Sequence, residues 1–161
     1  MRRHPDAVTL VFAIALATLA ACSTGPRTGT TSVPGRGAIA VEVAPNPIVA
    51  TRTSGTMFEF PFDVIVRETG GRPVTVTQVT ATVFGPAGLN LGRENWDAAK
   101  IRALGFNTDI PASGELRYRF APRREVPDER FIESLSAELR VDAVDDSGAA
   151  TSASTKVTVR R

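Results

Sequence analysis

Two side chains that carry much of protein chemistry are nearly missing from this sequence. The 161 residues include one histidine, His4, and one cysteine, Cys22. Residues 23–161 therefore contain neither an imidazole nor a thiol, which excludes Ser-His-Asp and Cys-His catalysis from that part of the chain. The same absence excludes zinc sites built from histidine or cysteine, and any disulfide within those residues. We predict no catalytic residue, no metal site and no cofactor.

Lysine is also scarce, since Lys100 and Lys156 are the only two among 19 basic residues. Arginine supplies the rest, and 17 acidic residues bring the formal net charge to +2. A nucleic-acid-binding domain usually carries a concentrated basic patch. The near balance of charges therefore predicts that nucleic acid is not a partner of this protein.

Residues 1–21 have the order of a secretory signal. Arg2 and Arg3 give a positive start, an apolar run from Ala7 to Ala21 follows, and small residues lead into Cys22. The run is about 15 residues long, which is shorter than the roughly 20 residues that a membrane-spanning helix needs. We therefore expect a signal peptide that is removed from the mature protein, rather than a transmembrane anchor.

The sequence Leu19-Ala20-Ala21-Cys22 resembles the lipobox of bacterial lipoproteins. In that family the cysteine thiol receives a diacylglycerol, the signal is cut just before it, and the new amino group is acylated. The resemblance implies lipidation of Cys22 and a stable membrane anchor, because each buried methylene contributes about 0.8 kcal/mol. It also implies a location in the cell envelope. The outer membrane is favoured in a Gram-negative host, because Ser23 rather than aspartate follows the cysteine, and otherwise the outer face of the plasma membrane. An ordinary secretory signal with an incidental cysteine is the alternative.

The next stretch, residues 22–37, is rich in glycine, serine, threonine and proline, and Val33 is its only sizeable apolar residue. Such a composition cannot bury enough apolar surface to offset the entropy of ordering, so we predict a lipidated, flexible linker. The linker either lifts the following domain from the membrane or only keeps Cys22 accessible to the processing enzymes. Residues 38–161 are long enough to form one domain.

The clearest strand pattern in that domain is a run of apolar residues on every second position. Phe58, Phe60 and Phe62 begin the run, and polar residues occupy most of the alternate positions. This two-residue period predicts that the three phenylalanines face one hydrophobic core. Pro61 cannot donate a hydrogen bond to a neighbouring strand, so it predicts a sheet edge or a bulge at that point.

Two further segments give local predictions. Val74 to Phe84 is rich in valine and threonine, and a change in its inward phase near Thr77 or Gln78 predicts a β-bulge. Asn95 to Leu104 is the only convincing helical pattern, with Asn95 as the expected cap. This helix is too short to stand alone, so we expect it to lie on the sheet, with Trp96 covering one open end of the core.

About seven strands, separated by turns rich in glycine and proline, predict an all-β sandwich or barrel with one short inserted helix. The segment from Leu139 to Val159 resembles the final hairpin of immunoglobulin-like and fibronectin type III-like domains, which alternate valine and alanine, turn at aspartate and glycine, and end in a strand rich in threonine and valine. The resemblance implies an immunoglobulin-like β-sandwich and brings no catalytic residues. It departs from the fibronectin pattern at Ala137, where an aromatic residue is expected, and it lacks the immunoglobulin disulfide.

Two candidate binding features stand out in the domain. Trp96 could form a platform for a sugar or a peptide, although covering the core is the plainer interpretation. A basic group could meet lipid phosphates or an acidic polymer. Glutamates flank that group, so an ordinary exposed strand face is the plainer interpretation there as well. The basic candidates are Arg117, Arg119, Arg123 and Arg124.

Two clusters of carboxylates could carry other chemistry. The cluster at the predicted final turn consists of Asp142, Asp145 and Asp146. These are oxygen ligands of the kind that calcium prefers, but the full spacing of a calcium loop is absent and a solvated turn is the plainer interpretation. The other cluster could supply the carboxylate pair of a glycoside hydrolase, although surface charge is the plainer interpretation. That cluster consists of Asp128, Glu129 and Glu133.

Taken together, these patterns favour a membrane-anchored envelope lipoprotein whose domain is a non-enzymatic binding or interaction module. A structural or assembly component of the envelope is the alternative, and a carboxylate-dependent hydrolase is a weaker third hypothesis. The longest loops, Gly85–Asn95 and Ala121–Glu133, are the predicted contact surfaces. The expected partners are the membrane, through the lipid on Cys22, and an envelope protein or polysaccharide.

Overall fold

A computed structural model describes residues 33–161 of the chain. The predicted signal peptide, Cys22 and the linker as far as residue 32 lie outside the described residues. Within the described range the chain is an all-β, immunoglobulin-like sandwich with one short α-helix, as the sequence predicted. In that range no helix has the length and apolar character needed to cross a membrane.

The strands of residues 33–161 are short at the margins of the sandwich and long at its centre. They are β1 (Ile39–Ala44), β2 (Ile48–Val49), β3 (Thr51–Ser54), β4 (Met57–Glu59), β5 (Phe62–Glu68), β6 (Val74–Phe84), β7 (Asn90–Asp97), β8 (Asp109–Ile110), β9 (Glu115–Phe120), β10 (Arg123–Glu125), β11 (Ser136–Asp145) and β12 (Ala150–Arg160). The helical segments are α1 (Ala98–Ala103) and the two 3₁₀ segments Pro86–Gly88 and Glu129–Ser134.

These strands form three sheets. The front sheet has the order β1-β5-β9, and the back sheet has the order β2-β12-β11-β6-β7, with β8 beside the start of β6. The cap sheet is smaller and has the order β10-β4-β3. All pairings are antiparallel except that of β2 with β12, which is parallel.

One hydrophobic core joins the inner faces of the front and back sheets. Successive side chains of a strand point to opposite faces, so the apolar residues on alternate positions all turn inward. Val64 and Val66 of β5 are fully buried, as are Val79 of β6 and Val141 of β11. Because the domain contains no cysteine, this core carries the stability that a disulfide would otherwise support.

The β-bulge predicted in β6 is confirmed. Gln78 pairs with Asp142 and Val76 pairs with Ala143, so Thr77 is the additional residue on β6. The extra residue reverses the side-chain phase, so the inward residues of β6 are even-numbered before the bulge and odd-numbered after it.

The three phenylalanines are confirmed as core residues, since Phe58, Phe60 and Phe62 are all buried. Pro61 marks the point where the chain leaves the cap sheet and enters the front sheet, between β4 and β5. The backbone N–H of Phe60 donates to Pro122 O at 3.0 Å, which ties this switch point to the segment after β9. The chain forms more strands than the seven predicted, because pairings of only two to four residues leave no periodic pattern in a sequence.

The predicted helix is shorter than expected. Strand β7 continues to Asp97, which pairs with Gln78, so Trp96 belongs to a strand and not to a helix. Asp97 and not Asn95 is the cap, because the Asp97 carboxylate accepts from Lys100 N at 2.8 Å. The helix thus begins at Ala98, where the cap satisfies its first free amides.

The predicted loops also contain regular structure. Gly85–Asn95 includes the first residues of β7, and Ala121–Glu133 includes β10 and most of the second 3₁₀ segment. The inward positions of β7 hold glycine and glutamate, and β10 is three residues long, so neither segment shows an apolar alternation.

The chain enters the sandwich at the end where β5 turns into β6 and β11 turns into β12, here called the entry end. Two buried carboxylates close it. Glu68 accepts from the backbone amides of Gly70 (2.6 Å), Gly71 (2.9 Å), Ser113 (2.8 Å) and Ala38 (3.3 Å). Burial acts to raise the pKa of Glu68, but these amide donors together lower it below its usual value.

The second carboxylate of the entry end belongs to Asp145. It accepts from Gly37 N at 3.1 Å, from Ala149 N at 2.9 Å, and from both the amide and the hydroxyl of Ser147. The Ser147 hydroxyl and the amide of Gly37 are the main causes that hold the pKa of this carboxyl well below its usual range. Gly37, at the end of the predicted linker, is therefore fastened to the domain.

Two glycines allow the close backbone contacts at the entry end. A Cβ on Gly37 would lie 2.6 Å from Val74 Cγ1, and a Cβ on Gly70 would lie 2.6 Å from Ala38 N. Both distances are far below normal van der Waals contact, so neither position has room for a side chain.

Candidate functional site

The far end of the sandwich, opposite the entry end, contains an apolar pocket. Its volume is about 600 Å³. The inner face of the back sheet forms one wall, and the cap sheet with the segment that follows β10 forms the other. Because β6 begins at the entry end with Val74 and reaches the pocket at Ala81 and Val83, the pocket lies roughly 20–30 Å from the entry end.

Small residues on inward positions of the back sheet create the space. Ala81 and Val83 of β6 line the pocket, and their neighbours across the sheet are Glu94 and Gly92 of β7 and Ala137 of β11. The aromatic residue that the fibronectin pattern places at Ala137 would occupy part of this space. The departure from that pattern therefore coincides with the pocket.

Aromatic rings form the inner end of the pocket. Phe60, Phe62 and Trp96 all line it. The Trp96 ring lies 4.6 Å from the Phe120 ring, and the Phe62 ring lies 5.6 Å from Phe120, measured between centroids. Trp96 is 9% exposed, so it belongs to the core and to the pocket wall at the same time.

Exposed apolar side chains surround the opening. Val83, Leu91 and Phe131 line the pocket and are 36%, 52% and 53% exposed. Leu89, on the same turn, is 64% exposed. A soluble surface seldom gathers large apolar side chains in one place unless something binds there.

An ion pair crosses the rim of the pocket. Glu94 occupies an inward position of β7, and its carboxylate accepts from Arg124 Nη2 of β10, so the pair joins the back sheet to the cap sheet. The neighbouring Arg93 makes only a long contact to Thr82 Oγ1, at 3.4 Å, and has no salt bridge to any residue in 33–161.

The four predicted basic residues do not converge on one site. Arg117 and Arg119 lie on the outer face of the front sheet, where each contacts the Asp63 carboxylate at 3.2 Å. Arg123 pairs with Glu59 at 2.9 Å. Among the four, Arg124 lines the pocket.

Most carboxylates of the two predicted clusters are taken up by ion pairs or backbone amides in residues 33–161. Asp142 pairs with Arg140 at 2.8 Å, Asp146 pairs with Arg72 at 2.6 Å, and the Asp145 oxygens are taken by the amides of the entry end. Residues 33–161 contain no group of three histidine, cysteine or carboxylate side chains arranged to hold a metal ion.

Two of the three carboxylates of the other cluster, Asp128 and Glu129, are engaged by arginines. Asp128 contacts Arg130 at 2.6 Å, and Glu129 contacts Arg52 and, at 3.0 Å, Arg161. Hydrogen bonds from Arg130 lower the pKa of Asp128, and hydrogen bonds from Arg52 and Arg161 lower the pKa of Glu129. The general acid of a glycoside hydrolase needs a raised pKa, which is the opposite direction.

Trp96 and Arg124, two of the predicted binding residues, line the pocket, but the sequence did not predict the pocket itself. The signals were present as single residues: small side chains at Ala81, Gly92 and Ala137, and an exposed Leu91. They come from three separate strands, so only the assembled sheet shows that they share one space.

Comparison with known proteins gives the fold and nothing more specific. No protein-family model matches the chain, and no curated protein matches it. A solved structural genomics target designated SoR45 is similar with a TM-score of 0.52 at 10% identity, over 80% of this chain and 90% of that one. The ApaA-designated protein of Bordetella pertussis is similar with a TM-score of 0.52 at 12% identity, over 81% of this chain and 99% of that one. At such low identity the likeness shows a shared fold.

Proposed function

We propose that this protein is a membrane-anchored envelope lipoprotein whose sandwich binds a partner in the apolar pocket, without catalysis. The pocket itself carries the proposal. Its volume of about 600 Å³ falls in the usual range for ligand sites, which are lined mostly by apolar side chains with a few polar groups at the rim.

The position of the pocket supports a tethered binding module. The chain enters the domain at Gly37, and the pocket opens at the other end of the long strands. A lipid on Cys22 would hold the entry end towards the membrane and leave the pocket facing away from it. A purely structural role is supported less well, because a filled sandwich would be more stable than one with an open apolar end.

Three observations support binding without catalysis. Residues 23–161 contain no histidine and no cysteine. Hydrogen bonds from arginines lower the pKa values of Asp128 and Glu129, two of the acidic residues that could have replaced them. The pocket wall is apolar, which suits the side chains of an envelope protein better than a polysaccharide. Esterase, protease and glycosidase substrates should all show no turnover with the purified chain.

Site-specific photo-crosslinking in cells tests this function with the protein in its own membrane. A photoreactive residue at Leu91, on the pocket rim, should give discrete adducts, whereas the same residue at Arg72, partly exposed at the entry end, should give none. Narrowing the pocket with Ala137→Leu should weaken the adducts, and Glu138→Leu, on the opposite face of the same strand, should leave them unchanged. Adducts that are equally strong in a folded Ala137→Leu protein would show that the pocket is not the binding site.

A further inference from the structure

Strand β7 forms one rim of the pocket and also one edge of the back sheet. In the described part of the chain, β7 pairs with β6 on one side only. The residues from Leu91 to Glu94 all line the pocket. An edge strand beside an apolar pocket offers two kinds of contact together, namely backbone hydrogen bonds and a place for side chains.

The orientation of the β7 backbone follows from one hydrogen bond. In an antiparallel pair, alternate residues turn both their N–H and their C=O away from the partner strand. The carbonyl of Asn95 accepts from Lys100 Nζ of α1 at 3.2 Å, which places it on the outer edge. Arg93 lies two residues earlier and has the same orientation, so its N–H and C=O point away from β6, beside the pocket.

The side chains of β7 suit the same kind of occupant. Gly92 faces inward without a side chain, which leaves open the path from the edge into the pocket. Arg93 faces the other side of the sheet and has no acidic partner within residues 33–161, so its charge is available to a carboxylate on a bound molecule.

We propose that the edge of β7 accepts an extended peptide segment of a partner protein as an added strand. Its backbone pairs with Arg93, one large apolar side chain enters the pocket, and an acidic side chain one residue away lies beside Arg93. This alternation follows because neighbouring residues of a strand point to opposite faces. The proposal rests on the proposed function and adds the chemistry of the partner.

A second copy of the same chain is disfavoured on this edge in the two registers that bring charges of β7 face to face. Antiparallel pairing of β7 with itself, centred on Arg93 or on Glu94, sets two like charges directly opposite one another. Such pairs destabilise a sheet. The charge on the edge therefore favours a different, acidic strand.

The test uses the full lipidated chain in lipid nanodiscs and a phage-displayed library of random decapeptides, with empty nanodiscs as the counter-selection. Recovered peptides should place a large apolar residue next to an acidic one. A synthetic copy should bind by fluorescence polarisation and change the emission of Trp96, the single tryptophan of the chain. N-methylation of alternate peptide amides should weaken binding at least about tenfold, since it removes backbone hydrogen bonds and leaves side chains in place.

A matched pair of variants tests the same edge from the protein side. Arg93→Pro removes the outward N–H at a position where an edge strand tolerates proline, and it should weaken binding at least about tenfold. Arg93→Gln keeps the N–H and should weaken binding less. The added strand would be overturned if N-methylated peptides still bind while the Ala137→Leu protein binds peptide more weakly. That result would leave the pocket as the binding site.

Two other outcomes also overturn the added strand. One is a library that yields no peptide specific for the protein. The other is quenching of Trp96 by a brominated fatty acid while no recovered peptide binds, which would make the pocket a lipid site. If Ala137→Leu changes neither peptide binding nor crosslinking, the proposed function itself is wrong.

Discussion

The entry end of the sandwich is closed by hydrogen bonds, whereas the far end is left open between apolar walls. At the entry end the carboxylates of Glu68 and Asp145 satisfy the backbone amides of three turns. At the far end Leu91 and Phe131 stand beside the pocket with about half their surface exposed. The same two sheets could have been closed at both ends, so the difference supports the proposal that the open end is kept for binding.

The largest expected effect comes from the phenylalanine that belongs to both the core and the pocket. Phe60→Ala should lower the free energy of unfolding by about 3–5 kcal/mol, because it leaves a cavity next to a space that is already empty. Denaturant unfolding measures the change. Glu59→Ala is the control and should cost less than about 1 kcal/mol, since it breaks only an exposed ion pair with Arg123. Equal effects of the two changes would contradict the observed register.

Removing the carboxylate of Glu68 should open the entry end. Glu68→Ala leaves the buried amide of Ala38 and three part-buried amides without an acceptor, and it should cost at least about 2 kcal/mol in unfolding free energy. The control is Glu115→Ala, which removes an exposed partner of Arg67 and should cost less than about 1 kcal/mol. Amide hydrogen exchange should show faster exchange at Gly70 and Ala38, and unchanged exchange there would argue against the assigned role of this carboxylate.

Two alanines on one strand give the most direct comparison of a packed region with the pocket. Ala143 is 1% exposed, so Ala143→Leu should destabilise the fold by about 1–3 kcal/mol through overpacking. Ala137 borders the pocket, so Ala137→Leu should change the stability by less than about 1 kcal/mol. Thermal unfolding of both variants checks the contrast, which fails if Ala137→Leu is the more destabilising.

Acid should loosen the entry end. Glu68 and Asp145 have pKa values lowered in the folded protein from ordinary values of 4.5 and 3.8. The unfolded chain therefore takes up protons first, and the stability that these groups contribute above the ordinary values is lost as the pH falls through the folded-state values. The melting temperature should decline below about pH 4.5, and the decline should be smaller in Glu68→Gln. An identical pH profile for that variant would exclude Glu68 as a cause.

The smallest effect on stability is expected from the predicted anchor. Cys22→Ser should leave the melting temperature unchanged and abolish both acyl labelling and partitioning into the detergent phase. Acyl chains on the Cys22→Ser protein would disprove lipidation at this position. Lipidation of Cys22 stays a prediction until then.

Sequence patterns predicted those parts of the fold that depend on residues close together in the chain. The phenylalanine run, the bulge at Thr77 and the final hairpin each show their two-residue period within one or two neighbouring strands. Strand β7 was missed because its inward positions carry Gly92 and Glu94, neither of which signals a buried face. An ion pair from another strand, through Arg124, makes that glutamate acceptable there.

The candidate site could not be read from the sequence for a related reason. Its walls come from strands that are far apart in the chain. Its main property is an unfilled space between those strands, and no single residue of the sequence indicates such a space. Ala137 was noticed as a departure from the fibronectin pattern, but only its position opposite Val83 and next to the cap sheet gives that departure a meaning.

The close contacts of Gly37 and Gly70 have a consequence for how this protein can diverge among its relatives. Neither glycine has room for a side chain, so substitutions at these two positions should be purged during evolution. The glycines of the predicted linker, such as Gly25 and Gly29, are expected to tolerate substitution. Homologous sequences that carry this fold should therefore keep glycine at the position of Gly37 but vary at the glycines before it. That change would mark the domain boundary.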